Sequence, residues 1–318
     1  MPKVSVVMSV YKEPIDWIKQ SVDSILNQTF TDFEFIIIND KPDREENRLV
    51  LDEYQKKDNR IIIITNETNL GLAKSLNKGL CVAKGEYVAR MDADDISMPE
   101  RFEQQVRFLD SNPDVIVCGT NAESFGDKKN SFNWIYERNN DIKAQLLNNS
   151  CFVHPTVFIR KSVLIDNNIL YDEDYRQAQD YRLWEVLRNY GSYANIMEIL
   201  LKYRISNQQI SHHNHSQQVN NAVKIRSRII SDFLQKYTIN IDFNDFDAIL
   251  LRKQLLSYGC CKDIFFYNLM KMLYFGDKKS SLRCIFNGDF WHFSLKEMIK
   301  YIACCFGIIK KRTILCNS

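Results

Sequence analysis

Strand-like and helix-like patterns alternate through the first 120 residues of the chain. Runs of apolar and β-branched residues predict buried strands, at Val4–Val10, Phe33–Ile38, Arg60–Thr65, Glu86–Met91 and Val115–Gly119. Helical periodicity fills the intervals, with predicted helices that start at Pro14, Asp43, Leu70 and Pro99 and with Asn69 as a predicted N-cap. Apolar strands joined by helices predict an α/β fold, in which a mostly parallel sheet is covered by helices on both faces.

The composition limits the classes of function. The chain has 318 residues, of which 45% are hydrophobic and 26% are charged, which suits one large domain and a smaller one. A formal net charge of +2 gives no global field that would favour nucleic acid. Nine cysteines without a metal-ligand or disulfide spacing favour reduced thiols. With no signal-peptide pattern at the N-terminus, we expect a cytoplasmic protein.

Polar side chains follow three of the predicted strands. Ser9 and Tyr11 lie at the end of the first strand, Asp40 follows the second, and an acidic cluster follows the fourth. In parallel α/β sheets, ligands bind beyond the carboxyl ends of the strands. These side chains are therefore predicted to share one crevice.

The acidic cluster places three carboxylates within four positions, at Asp92, Asp94 and Asp95. Like charges at that spacing repel each other, and burying them unpaired is costly. Hard oxygen ligands suit Mg²⁺ or Mn²⁺, and such a cation can accompany a diphosphate. The alternative is a solvated turn that caps the helix starting at Pro99. Neither the glycine nor the closing glutamate of an EF-hand loop is in place.

Three other residues are candidates for binding a nucleotide. Asp40 could accept the imide N–H of a uracil ring, or it could cap a turn before Pro42. Tyr11 could stack on a base, or it could simply pack. Lys74, at a predicted helix start, could neutralise phosphate, or it could be a solvated lysine.

Asp180 opens an amphipathic helical pattern, with Leu183, Trp184 and Leu187 on its apolar face. It is either a general base or a first-turn acid that the helix dipole favours. His212, His213 and His215 lack zinc spacing and suggest a solvated loop, although one of them could complete a metal site. The GxGxxG, P-loop and GxSxG motifs are absent, which removes the main support for dinucleotide, P-loop and serine-hydrolase functions.

Several segments occur in an order that resembles a known family. They are Ser5-Val6-Val7-Met8-Ser9-Val10-Tyr11, Gln28-Thr29-Phe30-Thr31-Asp32-Phe33-Glu34, Ile38-Asn39-Asp40, Asn69-Leu70-Gly71, Lys84-Gly85-Glu86-Tyr87 and Met91-Asp92-Ala93-Asp94-Asp95. Together they resemble the family 2 glycosyltransferases of the GT-A fold, over about residues 3–205. The resemblance implies an inverting hexosyltransferase with a nucleotide-sugar donor, usually UDP-linked, and Mg²⁺ or Mn²⁺.

The resemblance also implies roles for individual residues. Tyr11 and Asp40 would hold the base, and Ser9 and Glu13 would line the same end. Lys74 would lie near the phosphates, and Asp180 would be the catalytic carboxylate. Asp92 and Asp94 would form the Asp-x-Asp pair, with Asp95 sharing the metal. His154-Pro155-Thr156 matches a segment beside the acceptor. Two departures stand out. Gln179 precedes Asp180 where the family usually has glutamate, and Ile205-Ser206-Asn207 follows Arg204 where many relatives place a histidine, with His212 a weak substitute.

We predict a GT-A catalytic domain over 1–216, with a nucleotide-sugar half over about 1–120 and an acceptor half over about 121–216, and a helical C-terminal region over 217–318. Phe290, Trp291, Phe293 and the basic end at Lys310-Lys311-Arg312 suit either a helix on an anionic membrane or a core helix. Membrane contact would favour a lipid-linked saccharide acceptor in O-antigen or capsule assembly.

Two other functions remain open on the sequence alone. A nucleotidyltransferase would also use paired carboxylates and Mg²⁺, but it would be expected to carry a glycine-rich basic loop where this chain has Lys12-Glu13-Pro14. A non-catalytic protein that binds sugar nucleotides is the second, and an intact acidic cluster and base argue against it.

Overall fold

The computed structural model describes residues 1–129, 132, 134–206 and 215–236. The strands are β1 (Val4–Val10), β2 (Phe33–Asn39), β3 (Ile61–Thr65), β4 (Tyr87–Asp92), β5 (Ile96–Ser97), β6 (Val115–Gly126), β7 (Phe158–Arg160) and β8 (Ser192–Ile205). The helices are α1 (Ile15–Leu26), α2 (Glu45–Lys57), α3 (Leu72–Val82), α4 (Arg101–Ser111), α5 (Asn139–Gln145), α6 (Lys161–Asp166), α7 (Gln179–Leu187) and α8 (His215–Gln235), and a 3₁₀ turn covers His154–Thr156.

The strands form one eight-stranded sheet in the order β3-β2-β1-β4-β7-β6-β8-β5. β1 pairs in parallel with β2 and with β4, and β2 pairs in parallel with β3. β7 runs antiparallel between β4 and β6, whereas β6 and β8 are parallel. The predicted mostly parallel α/β fold is confirmed. The antiparallel insertion of β7 was not predicted, because a three-residue strand has no periodicity to detect.

Apolar faces of the helices cover the sheet. Ile18, Val22 and Ile25 of α1 are fully buried, as the helical pattern predicts. On α3, a Cβ added to Gly79 would lie 2.4 Å from Cγ1 of Val7 on β1. A glycine inside a helix is unfavourable by itself. Here it allows the α3 backbone to approach the sheet more closely than any side chain would.

The start of α3 differs from the prediction. Gly71, with φ of +84°, occupies the N-cap position, and no side chain caps the helix. Asn69, the predicted N-cap, instead accepts the Gly71 N–H at 2.9 Å in a local turn. The prediction was wrong because contacts with β2, described below, fix this turn and delay the helix.

Gln28 joins the end of α1 to the chain that follows the acidic cluster. Its Nε2 donates to Oγ of Ser97 at 3.1 Å and to the carbonyl of Met98 at 2.8 Å. Its Oε1 accepts the N–H of Phe102 at 3.0 Å. One buried amide therefore satisfies three groups and fixes the segment between β5 and α4.

The chain divides into two compact units. One consists of Met1–Ile142 and Ser150–His215, and it contains the whole sheet. The other consists of Lys143–Asn149 and Ser216–Ser318, of which residues 143–149 and 216–236 are described. The proposed division near residue 216 stays a prediction, and most of 217–318 lies outside the described residues. Of the helices that are described, none has the length and apolar content to cross a membrane.

Candidate active site

The carboxyl ends of β1, β2 and β4 meet at one edge of the sheet. Ser9 on β1 is in register with Asp92 on β4, and Val10 is in register with Asn39 on β2. Tyr11 and Asp40 directly follow these strands. The predicted convergence of polar groups at this edge is therefore present.

Asp40 lies at the end of β2 with only 3% of its surface exposed. Its Oδ1 accepts from Asn66 Nδ2 at 2.7 Å and from the N–H of Leu70 at 2.8 Å. Its Oδ2 accepts the N–H of Gly71 at 2.9 Å. The carboxylate thus ties the turn before α3 to β2. The role of Asp40 in binding a base remains a prediction. Its hydrogen bond with Asn66 was not predicted from the sequence.

The turn after β1 is held by its own polar groups. The N–H of Tyr11 donates to Oε2 of Glu13 at 2.7 Å, and Asn47 on α2 donates to the Tyr11 carbonyl at 2.8 Å. Lys12 Nζ lies 5.2 Å from the centroid of the Tyr11 ring. Burial raises the pKa of Glu13, and the negative charge of Asp92 adds to this. Glu13 therefore lies within electrostatic reach of the acidic cluster.

The acidic turn brings the carboxylates of Asp92, Asp94 and Asp95 together, with one oxygen of each within 4.8 Å of the others. Asp95 is fully buried. Its Oδ1 accepts the N–H of Arg204 at 2.7 Å, whereas its Oδ2 has no hydrogen-bond partner among the described residues. Burial, followed by the neighbouring Asp94 and Asp92, raises the pKa of Asp95 well above its ordinary value. A buried carboxylate oxygen without a donor, beside two further carboxylates, fits a divalent cation.

Arg204, at the end of β8, holds the acidic turn from the other side. Its Nε donates to the carbonyl of Asp94 at 2.7 Å, and its Nη2 donates to Oε1 of Gln20 at 2.6 Å. The guanidinium lies between the rings of Trp17, at 4.6 Å, and Phe125, at 4.3 Å. Such stacking and the two charged hydrogen bonds fix its orientation. This role of Arg204 was not predicted, because no local pattern beyond the Tyr203-Arg204 dipeptide points to it.

Arg90 is the second cation at the turn. It lies on β4, is 3% exposed, and forms an ion pair with Asp92. Nearby carboxylates, chiefly Asp92, raise its pKa against the effect of burial. Alternate residues of a strand face the same side of the sheet. The two-residue spacing of Arg90 and Asp92 therefore indicates an ion pair, which was not predicted from the sequence.

Asp180 occupies the first turn of α7 and is half-buried. Ser150 donates its hydroxyl to Oδ2 of Asp180 at 2.9 Å. Burial raises the pKa of Asp180, opposed by the N–H of Tyr181 and by the Ser150 hydroxyl. Three residues earlier, Gln177 has φ of +66°, a left-handed conformation that is strained for a residue other than glycine. Strained backbone of this kind clusters at functional sites.

His154 and Tyr171 form a pair beside Arg90. Nε2 of His154 lies 2.8 Å from the Tyr171 hydroxyl. Burial, with a further contribution from Arg90, lowers the pKa of His154 well below its ordinary value, so the ring is neutral. The backbone of Tyr171 is fixed by a reciprocal pair of hydrogen bonds with the amide of Asn77 on α3, each of 2.9 Å. The His154-Pro155-Thr156 segment therefore lies near Arg90 on β4, and its position beside the acceptor stays a prediction.

Lys74 lies in the first turn of α3 and is about half exposed. Its Nζ lies 3.4 Å from Oε2 of Glu173. Surface pairs of this kind contribute little to stability and are easily exchanged. The proposed contact of Lys74 with phosphate stays a prediction. His212 and His213 lie outside the described residues, as does the side chain of His215, so the question of a histidine ligand stays open.

The fold matches that of a solved structure. The crystal structure of S. aureus TarS residues 1–349 in complex with UDP-GlcNAc superposes with a TM-score of 0.61 at 17% identity, covering 96% of this chain and 91% of that one. This likeness shows that the chain has the GT-A fold.

The sequence comparisons identify the family. The model for glycosyl transferase family 2 matches residues 5–167. An uncharacterized glycosyltransferase of Methanocaldococcus jannaschii is 38% identical over 216 residues, covering 65% of this chain and 72% of that protein. The O-antigen biosynthesis glycosyltransferase WbnJ of Escherichia coli is 36% identical over 155 residues, covering 48% of this chain and 60% of that protein. The chain belongs to glycosyl transferase family 2, and its activity is glycosyl transfer.

Proposed function

We propose that this enzyme transfers a hexosyl or N-acetylhexosaminyl unit from a UDP-sugar to a hydroxyl of a lipid-linked saccharide in surface polysaccharide assembly. The names of similar proteins support the pathway, since they include O-antigen and amylovoran biosynthesis glycosyltransferases. The complexes of TarS with UDP and UDP-GlcNAc support a UDP-linked donor.

One observation carries the proposal. The acidic turn and Asp180 converge on the same buried environment, because both Asp92 and Asp180 act on the pKa of Tyr171 and Arg90 acts on the pKa of Asp180. Groups suited to a metal-bound diphosphate and to a base therefore both interact with Arg90 and Tyr171, which supports the proposal. A transferase needs this arrangement, since donor and acceptor must meet at one carbon.

Asp92, Asp94 and Asp95 would hold Mg²⁺ or Mn²⁺, with the unpartnered Oδ2 of Asp95 as one of the ligands. A divalent cation there supplies positive charge that stabilises a departing diphosphate. On the donor side, Tyr11 and Asp40 would bind the base with Ser9 and Glu13 at the same end. Lys74 would contact the phosphates once it leaves Glu173.

Asp180 is proposed as the general base. The oxygen of the acceptor hydroxyl forms a bond with the anomeric carbon while the bond from that carbon to the diphosphate oxygen breaks, and the hydroxyl proton passes to the Asp180 carboxylate. A single displacement inverts the anomeric configuration. The raised pKa of Asp180 makes it a stronger base than an exposed aspartate, since its pKa lies nearer to that of a useful proton acceptor at neutral pH.

A panel of UDP-sugars with Mn²⁺ tests the proposal, with UDP release and product formation as readouts. Asp94→Ala and Asp180→Asn are each expected to lower turnover by at least about a hundredfold. Asp174→Asn, a change at an exposed aspartate near α7, serves as the control. Near-normal turnover by folded Asp180→Asn would reject that residue as the base.

The same assay separates the alternatives. Release of pyrophosphate in place of UDP would indicate a nucleotidyltransferase, which the family assignment disfavours. Metal-dependent UDP binding without turnover of any sugar nucleotide would indicate a non-catalytic binding protein.

The lipid-linked acceptor has its own test. The predicted membrane helix and its basic end, Lys310-Lys311-Arg312, lie outside the described residues, so this part of the proposal rests on the sequence and on family analogy. The full chain is expected to sediment with vesicles that contain anionic lipid. Replacing the three basic residues by glutamate should release it, and unchanged binding would argue against contact through this segment.

A further inference from the structure

The acidic turn contains its own cation. Arg90 and Asp92 lie two residues apart on β4, so their side chains share one face of the sheet, and they form an ion pair. Arg90 is 3% exposed, and its Nε has no hydrogen-bond partner among the described residues. The Arg90 guanidinium forms its ion pair with Asp92 of the acidic turn.

Among the described residues, Asp95 is the second carboxylate that acts on the pKa of Arg90. Arg90 also interacts electrostatically with the neutral His154 and with the Tyr171 phenol. Behind it, Arg101 donates to the Arg90 carbonyl at 2.9 Å, and burial together with Arg90 lowers the pKa of Arg101 to about 9. The guanidinium of Arg90 therefore pairs with Asp92, and a second arginine, Arg101, binds the Arg90 backbone.

The acidic turn therefore has cations beside it before any ligand arrives. The ion pair of Arg90 with Asp92 and the nearby guanidinium of Arg204 offset part of the negative charge of the turn. A dication that enters such a site is attracted by the carboxylates and repelled by the arginines. In a buried site this repulsion is only weakly screened.

We propose that Arg90 is the resident counter-ion of the acidic turn. It weakens the binding of a free divalent cation and favours a divalent cation that arrives together with a nucleoside diphosphate. The diphosphate brings the negative charge that offsets Arg90, so metal and nucleotide bind cooperatively. This inference rests on the proposed function, in which the turn receives a metal–diphosphate complex. Arg90 is then a positioning residue that sets the order and coupling of binding.

Titration of the protein with Mn²⁺, followed by electron paramagnetic resonance at pH 8, tests the proposal without any turnover. In the absence of nucleotide, Arg90→Gln is expected to bind Mn²⁺ about tenfold more tightly than the wild type, because a repelling charge is removed. Arg90→Lys keeps the charge and should stay within about twofold of the wild type. Arg160→Gln is the matched control. Arg160 is a half-buried arginine on β7 that pairs with Glu86, at the end of β4 opposite to the acidic turn.

A second titration with UDP present measures the coupling. UDP should raise the Mn²⁺ affinity of the wild type by a larger factor than that of Arg90→Gln, and Arg90→Met should reproduce the Gln result. Unchanged or weaker Mn²⁺ binding by the folded Gln and Met variants would overturn the role of Arg90 while leaving the proposed function intact. A wild-type protein that binds no Mn²⁺ even with UDP would overturn both.

Discussion

Ser150 offers a direct test of how the proposed base is controlled. The Ser150 hydroxyl donates to Oδ2 of Asp180 at 2.9 Å, and its other acceptor within reach, the Phe152 carbonyl, is farther away at 3.4 Å. Hydrogen bonds to charged groups contribute about 1.5–3 kcal/mol. This bond favours the ionised carboxylate, so its loss in Ser150→Ala should raise the pKa of Asp180.

The size of the shift follows from the remaining donors. Each pKa unit corresponds to about 1.36 kcal/mol, so the lost bond alone would raise the pKa of Asp180 by about one to two units. The N–H groups at the start of α7 and the charge of Arg90 still stabilise the carboxylate. We therefore expect a net rise of about one unit.

The assay is the pH dependence of kcat/KM. Because the ionised carboxylate is the active form, a higher pKa moves the acidic limb of the profile to higher pH by about one unit, and the plateau falls by less than about tenfold because the base itself is retained. Ser150→Thr should restore the wild-type profile. Ser111→Ala, which removes a hydroxyl that donates to the Arg107 carbonyl on α4, should leave it unchanged. An unmoved acidic limb in Ser150→Ala would refute either the hydrogen bond or the assignment of Asp180 as base.

Three further changes have defined outcomes. Because the pKa of Asp95 is raised, its ionisation destabilises the folded protein increasingly as the pH rises above about 4. Asp95→Asn should therefore raise the melting temperature of the metal-free protein at pH 7 by about 2–4 °C. A melting temperature below that of the wild type would contradict the repulsion among the carboxylates. Gly79→Ala would place a Cβ 2.4 Å from Val7 and should lower the free energy of unfolding by about 1–3 kcal/mol in urea. Arg204→Met removes the hydrogen bond to the Asp94 carbonyl and the stacking on Trp17. It should lower the free energy of unfolding, measured in urea, by about 2–4 kcal/mol.

The sheet was predictable because its strands carry strong local signals. The apolar runs of β1 and β2 lie in buried parallel positions, where a continuous apolar pattern is required, and the four isoleucines of β3 pair in parallel with β2 at the edge of the sheet. From the strand ends alone, the convergence of Tyr11, Asp40 and Asp92 also followed. Asn69 shows the limit of this reasoning. Its residue type suits an N-cap, but Asp40, a remote residue, binds the N–H groups of the turn and moves the helix start to Leu72.

The supporting residues of the site were not predictable from local patterns. Arg204 is 109 residues from Asp95 along the chain, and Ser150 is 30 residues from Asp180. Such pairs depend on the register of β8 and on the path of the chain before the 3₁₀ turn, and neither leaves a periodic signal in a single sequence. The spacing of residues along the sequence identifies a side chain that can react, whereas the tertiary fold determines which hydrogen-bond donors orient that side chain.

This distinction changes the argument for a metal. Three aspartates in the sequence suggest an uncompensated cluster that needs a cation, but Arg90 and Arg204 already offset part of its negative charge. The number of carboxylates is therefore weak support by itself. The stronger support is Oδ2 of Asp95, a buried oxygen to which no residue in the described part of the chain donates, while Oδ1 accepts the Arg204 N–H. Folding leaves such an atom unpaired only at a cost. A ligand cation would remove that cost, whereas a solvated capping turn would give no reason to bury the atom.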